Sequence, residues 1–195
     1  MLRFWDGDLL AAGPLEEAFG DRAREDGPIT RSIVAHWDRL GFYTGGEHER
    51  WTAAQWAEFL DDPTHEWPFA ADERGAREPI FRLTIDLYRS QREPRRAEWA
   101  QIVQRLARAA GLAQTGGAAC RWVAVRSRPC SVDLLANLIR LDGAWQPHPV
   151  HRHQHVGDEV CRIVADLGLI RTTRPARDAS QAVPVPATPD PYRRR

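Results

Sequence analysis

Lysine is absent from the chain: all 27 basic side chains are arginine, balanced by 27 Asp and Glu to a formal net charge of zero. That balance excludes a global attraction to nucleic acid or to an anionic membrane, so any phosphate contact has to come from a local patch. Cysteine is scarce. Cys120, Cys130 and Cys161 are an odd set without paired spacing, which excludes a disulfide framework and predicts reduced thiols. No apolar run of membrane length and no signal-peptide pattern occur, so the expectation is a cytoplasmic protein with no membrane partner. With only three tyrosines, chemistry that needs a phenolic nucleophile has few candidates. Apolar residues and tryptophan are plentiful, at 43% and eight residues of the 195. They predict one domain of ordinary size with a real core.

The pattern along the chain divides it in three. Residues 1–79 read as a mostly helical region: a short helix within Leu9 to Phe19, and a second capped by Thr30 with Ile33, Val34, Trp37 and Leu40 on one face. A third starts at Thr52, presents Ala53, Trp56, Phe59 and Leu60, and stops at Pro63. From Ile80 the period changes to two, predicting a half-buried strand to Tyr88. An amphipathic helix over Arg95 to Ala110 follows, with Gly111 as its stop. A hairpin comes next, then a loop over Leu141 to Gln154 and a last helix from about Asp158. Residues 174–195 are rich in proline and predict an extended, disordered tail. The order predicts an α+β fold, a ferredoxin-like or split βαβ antiparallel sheet with helices on one face, formed by residues 80–173.

The hairpin organises this reading. Its first strand is Arg121 to Arg126, its turn Arg128-Pro129-Cys130 and its second strand Ser131 to Arg140. Val132, Leu134, Ala136 and Leu138 form one apolar face; Ser131, Asp133, Leu135, Asn137 and Ile139 form another that begins polar. Trp122-Val-Ala-Val-Arg126, Val132, Ala136, Leu138, Arg140, Asp142 and Gly143 resemble the central motif of the relaxase (mobilization nuclease) family of actinobacterial plasmids and integrative elements. The likeness extends to Ala97-Glu98-Trp99 and to Cys161-Arg162 and Asp166-Leu-Gly-Leu169, and so covers roughly residues 80–173.

That resemblance implies a relaxase-like fold and a DNA-nicking ancestry, in which a tyrosine attacks a phosphodiester while a metal held by three histidines polarises it. Here Ser127, Ser131 and Asp133 stand where the family has its histidines. Phe4, in Leu2-Arg3-Phe4-Trp5, stands where its tyrosine would be, with the preceding strand absent. Two hydroxyls and one carboxylate suit at most a weakly held, hydrated metal such as Mg²⁺ or Mn²⁺, and Arg82, where the family often has another histidine, would repel it. Tyr43 and Tyr88 are the other ordered tyrosines and read as packing residues. The expectation is therefore a degenerate scaffold without catalysis and without a resident cofactor.

Two further clusters carry chemistry. His148, His151, His153 and His155 put four imidazoles in eight residues; in an extended segment three of them share one side, a spacing that suits Zn²⁺. Arg82, Arg121, Arg126, Arg128 and Arg140, with Arg89 nearby, could form a patch for single-stranded or hairpin DNA. Three functions follow as expectations. The first is a DNA-binding or accessory factor in conjugative transfer, working with an active relaxase. The second is a protein–protein module that pairs with another transfer protein. The third is a metal-dependent nicking enzyme with a rebuilt site.

Overall fold

The computed structural model describes residues 1–21, 29, 32–87, 92–114 and 119–169. Among the described residues, five strands form one antiparallel sheet: β1 (Leu2–Asp8), β2 (Ile33–His36), β3 (Ile80–Asp86), β4 (Cys120–Arg128) and β5 (Ser131–Arg140). The spatial order is β1-β3-β5-β4-β2. β5 thus lies in the centre, hydrogen-bonded to β3 on one side and β4 on the other. Both neighbours run antiparallel to β5, so β3 and β4 are parallel to each other with β5 inserted between them. The crossover from β3 to β4 carries α4 (Arg96–Ala109). The other helices are α1 (Ala12–Phe19), α2 (Leu40–Thr44), α3 (Ala53–Glu66) and α5 (His153–Asp166).

Three sequence expectations need correction here. The segment from Ile33 is a strand, not a helix: Ile33 and Ala35 pair with Val125 and Ala124 of β4. The start of the chain, expected within a mostly helical region, is a strand: Phe4 sits on β1, opposite Leu83, with no strand before it among the described residues. Residues 1–79 therefore supply both edges of the sheet as well as three helices, and a boundary at residue 79 cuts through one sheet. Third, the helices cover both faces. β5 is buried along nearly its whole length on both sides. Asn137 on its odd-numbered face donates to Leu60 O of α3, and Arg82 on the same face reaches Glu17 of α1, so α1 and α3 lie over that side. α4 and α5 pack on each other and supply Trp99, Ile102, Leu106, Val156 and Ile163 to the other. The Thr30 cap, Tyr88, Arg89 and residues 174–195 lie outside the described residues.

Local signals explain most element ends. Thr52 accepts from Gln55 N, and the Gln55 side chain accepts from Thr52 N at 2.9 Å, a reciprocal cap that starts α3. Gly111 follows α4 with φ +81°, a left-handed conformation that favours glycine. The hairpin turn is Pro129-Cys130, with Cys130 at φ 56°, the left-handed position that glycine usually takes.

α3 does not stop at Pro63 but continues to Glu66. Proline has no N–H to donate to the carbonyl four residues back, which leaves Phe59 O without its helical partner. Arg121 of β4 fills the gap: its guanidinium donates to Phe59 O at 3.0 Å, pairs with Asp62 and stands 5.1 Å over the Phe59 ring. A side chain from the sheet thus repairs the helix.

Candidate functional site

Across the odd-numbered face runs a buried polar chain. Asp133, in the middle of the sheet and 1% exposed, accepts from the Thr84 hydroxyl at 2.5 Å and from the Arg82 guanidinium at 3.4 Å. Thr84 in turn accepts from the Trp5 indole N–H at 2.9 Å. Arg82 continues outward to Glu17 of α1 at 2.5 Å and stands 5.0 Å over the Trp5 ring. The register makes this geometry: Trp5 lies opposite Arg82, and Thr84 opposite Asp133, so three strands aim these side chains at one place.

This arrangement does not fit a metal. The Asp133 carboxylate is already engaged by a hydroxyl and a guanidinium, and a guanidinium at that distance repels a cation. Ser131 is 3% exposed, and its hydroxyl has no hydrogen-bond partner among the described residues. Ser127 lies at the bulge between Arg126 and Arg128. Phe4 shares its face with Leu83 and packs against Phe81, ring centroids 6.2 Å apart. It therefore lies on the opposite side of the sheet from Asp133. The position expected for a nucleophile and the position expected for a metal ligand are not brought together. Tyr43 stacks on Trp37 instead, at 5.4 Å.

The histidine cluster folds differently from the extended segment expected. Pro149–Arg152 is a 3-10 turn and α5 begins at His153. At about 100° per residue, His153 and His155 lie on opposite sides of α5, so the alternate histidines no longer share a side. His148 accepts from Val150 N at 3.2 Å and meets the Phe81 ring edge-on at 5.1 Å. Among the described residues no group of three His, Cys, Asp or Glu is placed to hold a metal ion. Burial pushes the Cys120 thiol up to about 12, which removes it as a nucleophile at neutral pH.

The five arginines do not make one patch. Arg82 is inside the polar chain. Arg121 and Arg140 lie at one end of the hairpin, held by Asp62 and Asp142. Arg126 and Arg128 lie at the other, roughly 20 Å along the strand, and Arg126 pairs with Glu93. Four of the five are thus tied to carboxylates, and Arg128 is exposed.

Two features escaped the sequence reading. His36 and His48 sit with ring centroids 4.8 Å apart. His36 Nδ1 lies 3.0 Å from Trp37 O, and a carbonyl only accepts, so that nitrogen carries the proton. Thr44 donates to Leu40 O, so its hydroxyl accepts from His48 Nδ1 at 2.7 Å. In the neutral tautomer that these two bonds select, Nε2 is the acceptor nitrogen of each ring. Burial first, and then His36, holds the His48 pKa below its ordinary value. The second feature is an aromatic slot between α2 and α3, whose residues are spread from Trp37 to Leu141. Helical spacing of Phe59 and Trp56 indicated apolar packing, but nothing in the sequence placed Trp37 and Tyr43 beside it.

No protein-family model, no curated protein and no solved structure matches the chain. Among the described residues, no helix is long and apolar enough to cross a membrane.

Proposed function

We propose that this protein is a relaxase-like domain that does not nick DNA and serves as an accessory factor in the conjugative transfer of a mobile element, acting through contacts with other transfer proteins. The observation that carries the reading is the state of Asp133. It lies on the central strand, at the position that resembles a metal-binding histidine, and it is held by Arg82 and Thr84. β5 in the middle of an antiparallel sheet supports the relaxase-like assignment, because that is the strand bearing the resembling motif. The carboxylates on Arg82, Arg121, Arg126 and Arg140 favour protein partners over phosphate as ligands, since phosphate would have to displace them.

The test has two arms. Purified protein is incubated with single-stranded and hairpin oligonucleotides in Mg²⁺ or Mn²⁺, and cleavage and covalent adducts are scored; neither is expected. Anisotropy of the same labelled oligonucleotides across a salt series is expected to show weak binding at physiological salt. Metal-dependent nicking by the protein alone would overturn the proposal. Tight, steeply salt-dependent binding lost in Arg126→Ala/Arg128→Ala would replace the partner-contact reading with a DNA-binding one.

A further inference from the structure

A slot of about 630 Å³ lies between α2 and α3, walled by Trp37, Tyr43, Trp51 and Phe59. Trp37 stacks on Tyr43 at 5.4 Å and on Phe59 at 6.4 Å, and Trp51 meets Phe59 at 5.8 Å, so the four rings form one connected aromatic wall. Along its rim α3 presents Glu58, Asp62 and Glu66. These are spaced four residues apart, so the three carboxylates share one helical face. Asp62 is taken by Arg121. Glu58 and Glu66 are exposed and have no ion-pair partner among the described residues. Beside the slot, Phe42 is 88% exposed and Tyr43 64% exposed, an edge-on pair at 5.6 Å.

The molecule already displays the chemistry this slot favours. Arg121 enters its floor with the guanidinium over the Phe59 ring and a carboxylate, Asp62, alongside. A flat cation is held there by the negative face of a ring on one side and by charge on the other. The remaining walls repeat those two components without the cation: the Tyr43 and Trp51 rings, and the Glu58 and Glu66 carboxylates.

We infer that this slot binds the arginine side chain of an extended segment in a partner protein. A guanidinium fits because it stacks on an aromatic face while its N–H groups reach carboxylates at the rim, which an ammonium does less well and an anion not at all. An extended segment fits because Gln55, Glu58, Asp62 and Glu66 line the slot in succession along α3, with Phe42 and Tyr43 exposed beside it to cover apolar side chains next to the arginine. The inference rests on the accessory reading only in supposing that a partner exists. It uses neither the relaxase resemblance nor the state of Asp133.

The experiment is fluorescence anisotropy of a labelled peptide of alternating proline and arginine against the full chain, beside the same peptide with citrulline in place of arginine. Citrulline keeps the shape and removes the charge. Micromolar binding of the arginine peptide is expected, at least about tenfold weaker with citrulline. A similar loss is expected with Glu58→Gln/Glu66→Gln and with Tyr43→Ala. The two glutamates are exposed, so the near-ultraviolet circular dichroism of their variant should match the parent and a loss of binding reports the slot. Equal affinity for the two peptides, or unchanged binding by the glutamine variant, would overturn the inference, while the nicking result would stand untouched. Binding that develops only in Arg193→Ala/Arg194→Ala/Arg195→Ala would assign the slot to the chain's own arginines. Dimerisation abolished by Glu58→Gln/Glu66→Gln would assign it to a second copy. Either of these outcomes also removes the partner protein.

Discussion

The two faces of β5 are buried to the same degree and filled in opposite ways. Under α4 and α5 lie Val132, Leu134, Ala136 and Leu138, with Leu83 and Ile85 of β3 beside them, all apolar and essentially without exposure. Under α1 and α3 lie Asp133, Asn137 and Thr84, interleaved with Leu135 and Ile139 and equally shut from solvent. The apolar face needs only volume and shape to be stable. The polar face relies on partners as well: Asn137 donates to Leu60 O and to the Thr64 hydroxyl and accepts from Ile139 N, while the buried Ser131 hydroxyl finds none among the described residues. Substitution on one face is limited by size and shape; on the other it also has to leave Asp133 and Asn137 with their partners.

The sharpest way to break the comparison is at Arg82. Removing it as Arg82→Leu leaves the buried Asp133 with Thr84 alone and should cost about 3–5 kcal/mol of stability in urea unfolding. Adding Asp133→Leu should recover most of that loss, turning the polar face into a copy of the apolar one. A double variant as unstable as the single one would show that packing, not the ion pair, sets the requirement. Next in size is Arg121→Ala, which strands Phe59 O and should cost about 2 kcal/mol. Pro63→Ala supplies the missing helical N–H, so the same arginine deletion in that background should cost about half as much, a coupling read from a double-mutant cycle. No coupling would mean that Arg121 acts through Asp62 and the Phe59 ring only.

The smallest effect is expected at His48. Its folded-state pKa lies below 6.5, so the unfolded chain takes up the proton first as pH falls. Its contribution to stability is complete above the ordinary value and is lost on descending from about 6.5 toward the folded one. His36, Glu49 and the Thr44 hydroxyl are the groups that face it. His48→Gln should flatten the slope of unfolding free energy against pH in that window, as measured by urea titrations at matched ionic strength. An unchanged slope would move the pH dependence to another group.

Long, strongly periodic elements were legible in the sequence. The period-two run at Ile80 and the hairpin from Arg121 became β3, β4 and β5, and β5 spans Ser131–Arg140 as its alternation indicates. α4 follows from its apolar stripe and Gly111. β2 was not legible, because four residues are too few to show alternation, and Ile33, Val34, Trp37 and Leu40 happen to match a helical stripe. β1 carries Asp6, Gly7 and Asp8, poor strand formers that an edge tolerates. α3 runs past Pro63 where the sequence predicts a stop; the carbonyl that proline frees is taken by Arg121, 62 residues away, which local spacing does not show. The same limit applies at the site. Asp133 was visible as a polar residue on a core strand, but its partner Arg82 stands 51 residues earlier. Pairing at that separation is written in the topology of the sheet rather than in local spacing.

The repair of α3 by Arg121 carries a consequence for how this chain can change over time. Pro63 and Arg121 are bound by an order of events. With proline in place, loss of the arginine exposes a fault in the helix; once proline is gone, the arginine is released from that duty and can drift. A lineage that reverses the order crosses a less stable intermediate. Among relatives of this chain, then, a helix at this place that keeps its proline should keep a cation facing it from β4, and the cation should vanish only where the proline already has.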